Sequence, residues 1–123
     1  MALKRAIIRR VGPLFWLLDL MLLAPDFSVI KECLHASAYG PFFPDWEFNT
    51  LFGLERSRVC SIADTFDASS PITEDIELAV NNSIGNLLGY PHGLDSAWSQ
   101  WISVSQSELQ NLFSRWQTAR SSV

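Results

Sequence analysis

The sequence predicts an all-α fold: a small bundle of four to five short helices with an aromatic-rich connecting loop, preceded by a basic and apolar N-terminal segment. From residue 25 onward, apolar residues recur every three or four positions, which is the period of a half-buried helix. Capping residues and helix breakers bound these stretches, and no long stretch alternates with the two-residue period of a strand. A length of 123 residues suits one domain. We therefore expect residues 25–123 to form a single helical domain and residues 1–24 a separate segment.

The first predicted helix runs from Pro25 to Gly40. Asp26 is placed to cap its first turn, and Gly40 stands just past its end, where a left-handed residue commonly closes a helix. The face expected to be buried consists of Phe27, Ile30, Leu34 and Ala38.

The next stretch, GPFFPDWEFNTLFG at 40–53, holds five aromatic rings between two glycines. Asp45 can cap a brief helix here, and Gly53 can end it. Its inward side chains would be Phe48, Leu51 and Phe52, because a small helical domain needs bulky rings to fill the space between its helices.

Three rings of this stretch lie outside that buried set: Phe42, Phe43 and Trp46. Pro41 and Pro44 are expected to keep them out of a regular helix. At least one of the three rings is expected at the surface. Asp45 and Glu47 flank Trp46, and a tryptophan edged by carboxylates is typical of a binding anchor.

Two further helices are predicted between residues 54 and 91. The apolar positions of the first are Leu54, Val59, Ile62 and Phe66. The second begins with Ser70 as cap and Pro71 in the first helical position, and Gly89 and Pro91 end it. Its first turns carry three acidic residues that suit the positive end of the helix dipole, namely Glu74, Asp75 and Glu77.

The last predicted helix begins with a capping box formed by Ser105 and Glu108. Its apolar stripe comprises Leu109, Leu112, Phe113 and Trp116. Trp116 is therefore expected in the core. The preceding segment carries Trp98 and Trp101 three positions apart, and we expect one of them to be packed and the other partly exposed.

Charge is divided unevenly along the chain. The net charge is −4, but residues 1–20 sum to +3, while residues 21–123 carry five basic and twelve acidic side chains and sum to −7. An acidic body without clustered lysine and arginine would repel a phosphate backbone, so nucleic acid is excluded as a partner. A basic protein surface or a cationic ligand is the partner that this charge favours.

Residues 1–24 have two competing interpretations. They form a helix that packs on the domain or lies on a membrane surface, or the native chain starts at Met21 and they are an over-extended reading frame. The apolar run from Val11 to Ala24 is only fourteen residues, too short to span a membrane. Asp19 and Pro25 disfavour a secretory signal. Membrane association through this segment is the less favoured expectation.

Four side chains form what we call the polar row, the best candidate for a polar-ligand site: Asn82, Asn86, Tyr90 and His92. The two asparagines lie one helical turn apart, and Tyr90 continues their line toward His92. Two amides, a phenol and an imidazole could hold a polar ligand or a peptide backbone. The interpretation that we favour is structural: Gly85 lets another helix approach closely, and the asparagines bond to loop backbone.

Few side chains suggest metal binding or catalysis. The soft ligands and nucleophiles are Cys33, His35, Cys60 and His92. Only Cys33 and His35 are close in sequence, and on a helix they point about 200° apart, unlike the paired ligands of zinc sites. No phosphate loop or serine elbow is present. We predict no metal, no cofactor and no catalytic residue, although a Cys–His pair formed in space stays open. Both cysteines are expected as buried thiols in a reducing cytoplasm.

The sequence thus favours a small acidic protein–protein interaction module over an enzyme. The predicted partner-binding residues are Phe43, Asp45, Trp46, Glu47 and Trp101. In size, acidity, tryptophan content and lack of catalytic motifs, the chain is similar to bacterial immunity and antitoxin-type proteins. This analogy of composition implies that it masks a basic partner. The alternative is a small-ligand binder or enzyme centred on the polar row.

Overall fold

The computed structural model describes residues 22–121, with side chains to residue 120, so the hypotheses about the N-terminal segment lie almost entirely outside the described residues. The α-helices in this part are α1 (Ala24–Tyr39), α2 (Asp45–Phe52), α3 (Arg56–Thr65), α4 (Glu74–Gly89), α5 (Trp98–Trp101) and α6 (Gln106–Ser121). A 3-10 turn, Asp95–Ala97, precedes α5. No strand occurs between residues 22 and 121, and the all-α prediction is confirmed. The described helices number six, because the aromatic-rich loop supplies α2 and the segment around Trp98 supplies α5.

α1 is the central helix of the bundle. It packs mainly against α3 and α4 and also contacts α5, while α2 contacts α3 and α4, and α6 packs on α4. The largest fully buried side chains are Trp116, Phe42, Phe48, Phe52, Phe66, Ile30, Leu34, Ile72, Ile84, Leu87 and Ile102. Within the described part of the chain, no helix has both the length and the apolar content needed to cross a bilayer.

The aromatic loop fills the space between α2, α4 and α5. The Phe48 and Phe52 rings are stacked with centroids 4.2 Å apart, and the Phe43 ring meets Phe52 edge-on at 5.3 Å. Phe42 lies edge-on to Trp98 at 6.3 Å. Phe43 is therefore only 4 % exposed, and its assignment to the partner-binding surface is wrong: the ring belongs to the core.

The ends of the helices are held by side chains from neighbouring helices. The last carbonyl groups of a helix have no partner within it. Lys31 of α1 donates from Nζ to the carbonyl oxygens of Ala63 and Phe66 at the end of α3, both at 2.8 Å. The cation also lies at the negative end of the α3 dipole. This contact ties α1 to α3.

Arg56 makes the reciprocal connection from the start of α3 to the end of α1. Its guanidinium donates to Ala38 O at 2.9 Å and to Phe43 O at 2.7 Å. The same group lies 4.3 Å from the centroid of the Phe48 ring. Its Nε pairs with Asp45 Oδ1 at 2.8 Å. Arg56 thus fixes the α1–α2 loop against α3.

The structure corrects the predicted start of the first helix and the conformation of Gly40, whereas the predicted end before Gly40 is confirmed. α1 begins at Ala24, so Asp26 is not the N-cap; its carboxylate accepts the Leu23 N–H at 2.8 Å from within the first turn. Gly40 follows the helix in an extended conformation, φ −83°, and is not left-handed. The reason is Pro41, because a residue before proline is disfavoured in helical conformations. Glycine is needed here for space, since a Cβ would lie 2.5 Å from Ala36 O.

The start of α4 also differs from the prediction. The N-cap is Thr73, whose Oγ1 accepts the Ile76 N–H at 3.2 Å, and the helix begins at Glu74. Ser70 and Pro71 lie in the preceding turn, where Ser70 Oγ accepts the Asp67 N–H at 2.8 Å. Ser70 and Thr73, three positions apart, are both suitable N-caps, and the sequence alone does not rank them.

The capping box of α6 is confirmed. Ser105 N–H donates to Glu108 Oε1 at 2.8 Å, and Glu108 N–H donates to Ser105 Oγ at 3.1 Å. These hydrogen bonds lower the pKa of the Glu108 carboxyl. Leu109, Leu112 and Trp116 are buried as predicted.

Candidate interaction surface

Trp46 is the most exposed large apolar side chain among residues 22–121, with 81 % of its surface accessible. It is the second residue of α2, and not outside a helix as predicted, because Pro44 takes the N-cap position, where a missing N–H costs nothing. Phe48 and Phe52 occupy the buried face of the same helix. Phe48 lies about 160° around the helix from Trp46. The packing of α2 therefore directs the indole into solvent.

The two carboxylates beside Trp46 are held in place on either side of it. Asp45 pairs with Arg56 while its own side chain is 91 % exposed. Glu47 Oε1 accepts a hydrogen bond from the Tyr90 hydroxyl at 2.6 Å, and this contact raises the pKa of Tyr90. Each carboxylate lies about 100° around α2 from the indole. Trp46 consequently stands between two positioned negative charges.

The exposed face of α2 continues beyond Trp46. We define the Trp46 face as Trp46, Asn49, Thr50, Gly53 and Leu78. The first four are exposed and lie at helical spacing along α2. Leu78 of α4 adjoins the far end, because a Cβ at Gly53 would lie 3.4 Å from Leu78 Cδ2. Leu78 is itself 38 % exposed.

The basic side chains of the described residues are all engaged within the chain. Lys31 caps α3, and Arg56 pairs with Asp45 while capping α1. The other ion pairs are Arg58–Asp75, Arg115–Asp26 and Arg120–Glu77. Carboxylates without a lysine or arginine partner between residues 22 and 121 are Glu32, Glu47, Glu55, Asp64, Asp67, Glu74, Asp95 and Glu108. The surface charge of this part of the chain is therefore predominantly negative.

The two tryptophans of the α5 segment behave as predicted. Trp98 is buried and donates from Nε1 to Val104 O at 2.8 Å, whereas Trp101 is partly exposed. Trp101 lies against Gly40, where a Cβ would be 3.3 Å from its Cε2. No hydrogen bond or ring contact among the described residues links Trp101 to Trp46. The partner-binding role of Trp101 stays a prediction.

The asparagines of the polar row hold the end of α2. Asn82 Nδ2 donates to Phe52 O at 2.8 Å, and Asn86 Nδ2 donates to Leu51 O at 3.0 Å. Between them, Gly85 faces α6, where a Cβ would lie 3.5 Å from Phe113 Cζ. The amides thus bind backbone carbonyl groups, as the favoured interpretation predicted, but these belong to the end of α2 and not to a loop. A Cβ at Gly85 would make an ordinary contact with Phe113, so the expected close approach does not depend on glycine.

The other two members of the polar row are engaged as well. Tyr90 donates to Glu47, as described above. His92 Nδ1 accepts the Leu94 N–H at 3.0 Å. The other ring nitrogen, Nε2, lies 3.1 Å from Leu87 O and is placed to donate to it. These contacts fix the turn after α4. A ligand at the polar row stays a prediction, and a thermal-shift screen with metabolites would test it.

The cysteines are free thiols in different surroundings. Cys33 is fully buried, and burial raises the pKa of its thiol. Cys60 is half-buried with its Sγ 3.9 Å from Ala38 O. Among residues 22–121, no three histidine, cysteine or acidic side chains are grouped to hold a metal ion.

Sequence reasoning missed three exposed large side chains: Leu23, Tyr39 and Leu78. Tyr39 is 50 % exposed, and its hydroxyl donates to Asp64 Oδ2 at 3.0 Å beneath a stacked His35 ring. Tyr39 lies off the apolar stripe predicted for the first helix, and Leu78 lies off the buried face of α4 that includes Val80 and Ile84. This offset from the buried face is the signal that would have identified Tyr39 and Leu78.

The chain matches no protein-family model, and comparisons with curated proteins and with solved structures found no relative.

Proposed function

We propose that this protein is a small acidic interaction module that binds a basic surface of another protein through the Trp46 face. The observation that carries the proposal is the 81 % exposure of Trp46 in a body whose lysines and arginines are, among residues 22–121, all engaged internally. Tryptophan is rarely left this exposed, and it is enriched among the anchor residues of protein interfaces.

The side chains around Trp46 favour a partner surface that carries lysine or arginine. Tryptophan is enriched among the residues that dominate binding energy at interfaces. Asp45 and Glu47 flank the ring and suit lysine or arginine of the partner, which can also contact the indole face. The wider negative field would accelerate the encounter with a basic partner and repel acidic ones.

A masking role of the kind found in bacterial immunity and antitoxin-type proteins is the finer form of this proposal. It is supported by the small acidic domain and by the preformed position of Trp46. Two free thiols, one of them fully buried, are compatible with work in a reducing cytoplasm. Nucleic acid is disfavoured as the partner, since all basic side chains of residues 22–121 already have internal partners.

Site-specific photo-cross-linking in the producing cells would find the partner. A photoreactive residue replaces Trp46 in one sample and the exposed Leu23 in the control. Cross-linking specific to position 46 identifies a candidate, which is then purified for binding measurements.

Binding of that purified candidate decides the proposal. Trp46→Ala should weaken the affinity by about 30-fold, which corresponds to about 2 kcal/mol. Leu23→Ala should leave the affinity within about twofold, and both variants should retain the wild-type circular dichroism. Binding that is indifferent to Trp46→Ala, or a captured protein with no basic surface, would refute the proposed function.

A further inference from the structure

The Trp46 face has a defined length and shape. Trp46 and Thr50 lie one turn apart on α2, and Gly53, the residue that follows the helix as its C-cap, continues their line. The seven positions from Trp46 to Gly53 correspond to about 10 Å at the helical rise. The line therefore offers about two turns of contact to a second helix.

Gly53 makes a low point between two apolar side chains. It ends α2 in the left-handed conformation, φ 69°, with its N–H bonded to Asn49 O at 2.8 Å. Because it has no side chain, the surface between Trp46 and Leu78 is open at this position. A small residue at such a point lets helices approach closely, toward the 8 Å end of the usual range of axial distances of about 8–10 Å.

Carboxylates accompany the Trp46 face along its length. Asp45 and Glu47 lie on either side of Trp46. Glu55 accepts a hydrogen bond from Asn49 Nδ2 at 3.3 Å and so lies beside the middle of the face. Glu74 is exposed one turn before Leu78 on α4. Two apolar side chains at the ends of the face, each with acidic neighbours, are complementary to an element that carries apolar residues flanked by cations.

We infer that the occupant of the Trp46 face is a basic amphipathic helix of the partner protein, an inference that rests on the proposed function. Residues 22–121 contain no strand whose edge could pair with an extended peptide, so recognition must use side chains. Apolar residues of the incoming helix at i, i+3 or i+4, and i+7 would cover the indole and the Gly53–Leu78 opening. Its flanking lysines and arginines would meet Asp45, Glu47, Glu55 and Glu74.

Synthetic peptides test this inference without knowledge of the natural partner. The probe is a helical peptide of about 16 residues with leucines on one face and lysines and arginines on the other. The control peptide has the same composition in an order that scatters the leucines around the helix. Binding is followed by isothermal calorimetry with the full chain at low salt. We expect the amphipathic peptide to bind at least about tenfold more tightly than the scattered one.

Variants of the chain locate the contact. Leu78→Ser and Thr50→Arg should each weaken binding of the amphipathic peptide about tenfold or more, through lost apolar contact and through added positive charge. Two exposed positions outside the Trp46 face serve as matched controls. Leu23→Ser and Ser107→Arg should change the affinity less than about threefold. Circular dichroism of each variant confirms that the fold is retained.

The outcomes separate this inference from the proposed function. Equal binding of the two peptides, no binding by either, or indifference to both Leu78→Ser and Thr50→Arg would overturn the helical occupant. If the natural partner identified by cross-linking still loses affinity with Trp46→Ala, the proposed function stands even though the helical occupant is overturned. If Trp46→Ala changes the affinity for neither the peptide nor the partner, both fail.

Discussion

Asn82 and Asn86 lie one turn apart on α4, and both amides reach across to the last carbonyl groups of α2. Asparagine is a mediocre helix former, so its presence inside α4 has a local cost of a few tenths of a kcal/mol. The gain is that two carbonyl groups at a helix end receive the donors they otherwise lack. These two side chains therefore hold α2, and with it Trp46, in position.

Asn82→Ala should destabilise the protein by about 1–2 kcal/mol, because Phe52 O loses its hydrogen-bond donor. The measurement is the free energy of unfolding in urea. Asn111→Ala, at an exposed position of α6, is the matched control and should change stability by less than about 0.5 kcal/mol. Equal effects of the two substitutions would show that the Asn82 contact does not contribute.

The hydrogen bond of Tyr39 makes the stability of the fold depend on pH in the alkaline range. Its hydrogen bond to the Asp64 carboxylate, followed by partial burial and the nearby Cys60, raises the pKa of the phenol to about 12. An unfolded tyrosine titrates near pH 10. Because the folded pKa is the higher one, the contribution to stability is complete below about pH 10 and is lost as the pH rises toward 12.

Phenolate absorbance measures the tyrosine pKa values directly. The chain has only two tyrosines, and the contact with Glu47 raises the pKa of the second one, Tyr90. Both tyrosines of the folded protein should titrate above the ordinary tyrosine pKa, with Tyr39 near pH 12. Asp64→Asn should bring one of the two titrations down toward pH 10. A wild-type tyrosine with an ordinary pKa would contradict the Tyr39 and Tyr90 contacts.

At the scale of the helices, α1 and α3 hold each other through reciprocal caps. Lys31 of α1 donates to the end of α3, and Arg56 of α3 donates to the end of α1. Cations at both C-terminal ends also offset the helix dipoles. Together, the Lys31 and Arg56 contacts fix the register in which α1 and α3 pack, because each cation reaches only the carbonyl groups at one end of the neighbouring helix.

Arg56→Met should lower the free energy of unfolding by about 2–3 kcal/mol, since buried carbonyl groups at Ala38 and Phe43 lose a charged donor. Arg58→Met, two positions along the same helix, removes only a half-exposed pair with Asp75 and should cost less than about 1 kcal/mol. Urea unfolding of both variants gives the comparison. If the Arg58 substitution proves as damaging as the Arg56 one, the capping account of Arg56 is wrong.

Helices and most of the core could be predicted because apolar periodicity is a property of each segment by itself. Phe27, Ile30 and Leu34 are buried as their spacing indicates. Helix ends were less predictable: Asp26 lies inside the first turn of α1, and Thr73 takes the place expected of Ser70. Several residues can cap a helix, and packing against the rest of the chain decides which one does.

The candidate surface was predictable only in part, for a related reason. Phe43 and Trp46 are three residues apart, and composition alone gives both the same tendency to be buried. The difference arises from long-range contacts: Phe43 meets Tyr90 and Phe52, whereas the rings of Phe48 and Phe52 occupy the inner face of α2 and leave Trp46 outside. Leu78 lies beside Gly53 and so belongs to the same surface. This proximity joins residues 25 positions apart in the chain, so no local sequence pattern predicts it.

The molecule as a whole combines a negatively charged body with an exposed indole that helix α2 presents. Residues 21–123 sum to −7, and the exposed carboxylates are spread over the described helices and turns. A field of this kind acts over about 10 Å at 0.1 M salt and farther at lower salt. Ions of opposite sign should therefore differ in their access to Trp46.

Fluorescence quenching of the wild type and of Trp46→Phe tests the exposed indole and its acidic surroundings together. The difference between the two proteins isolates one of the five tryptophans. At low ionic strength, we expect the Trp46 component to be quenched strongly by acrylamide. Measured relative to the quenching of free tryptophan amide by the same ion, caesium should quench it more efficiently than iodide, because Asp45 and Glu47 attract the cation and repel the anion. A Trp46 component shielded from acrylamide, or one whose quenching relative to free tryptophan amide favours iodide, would contradict the acidic docking surface.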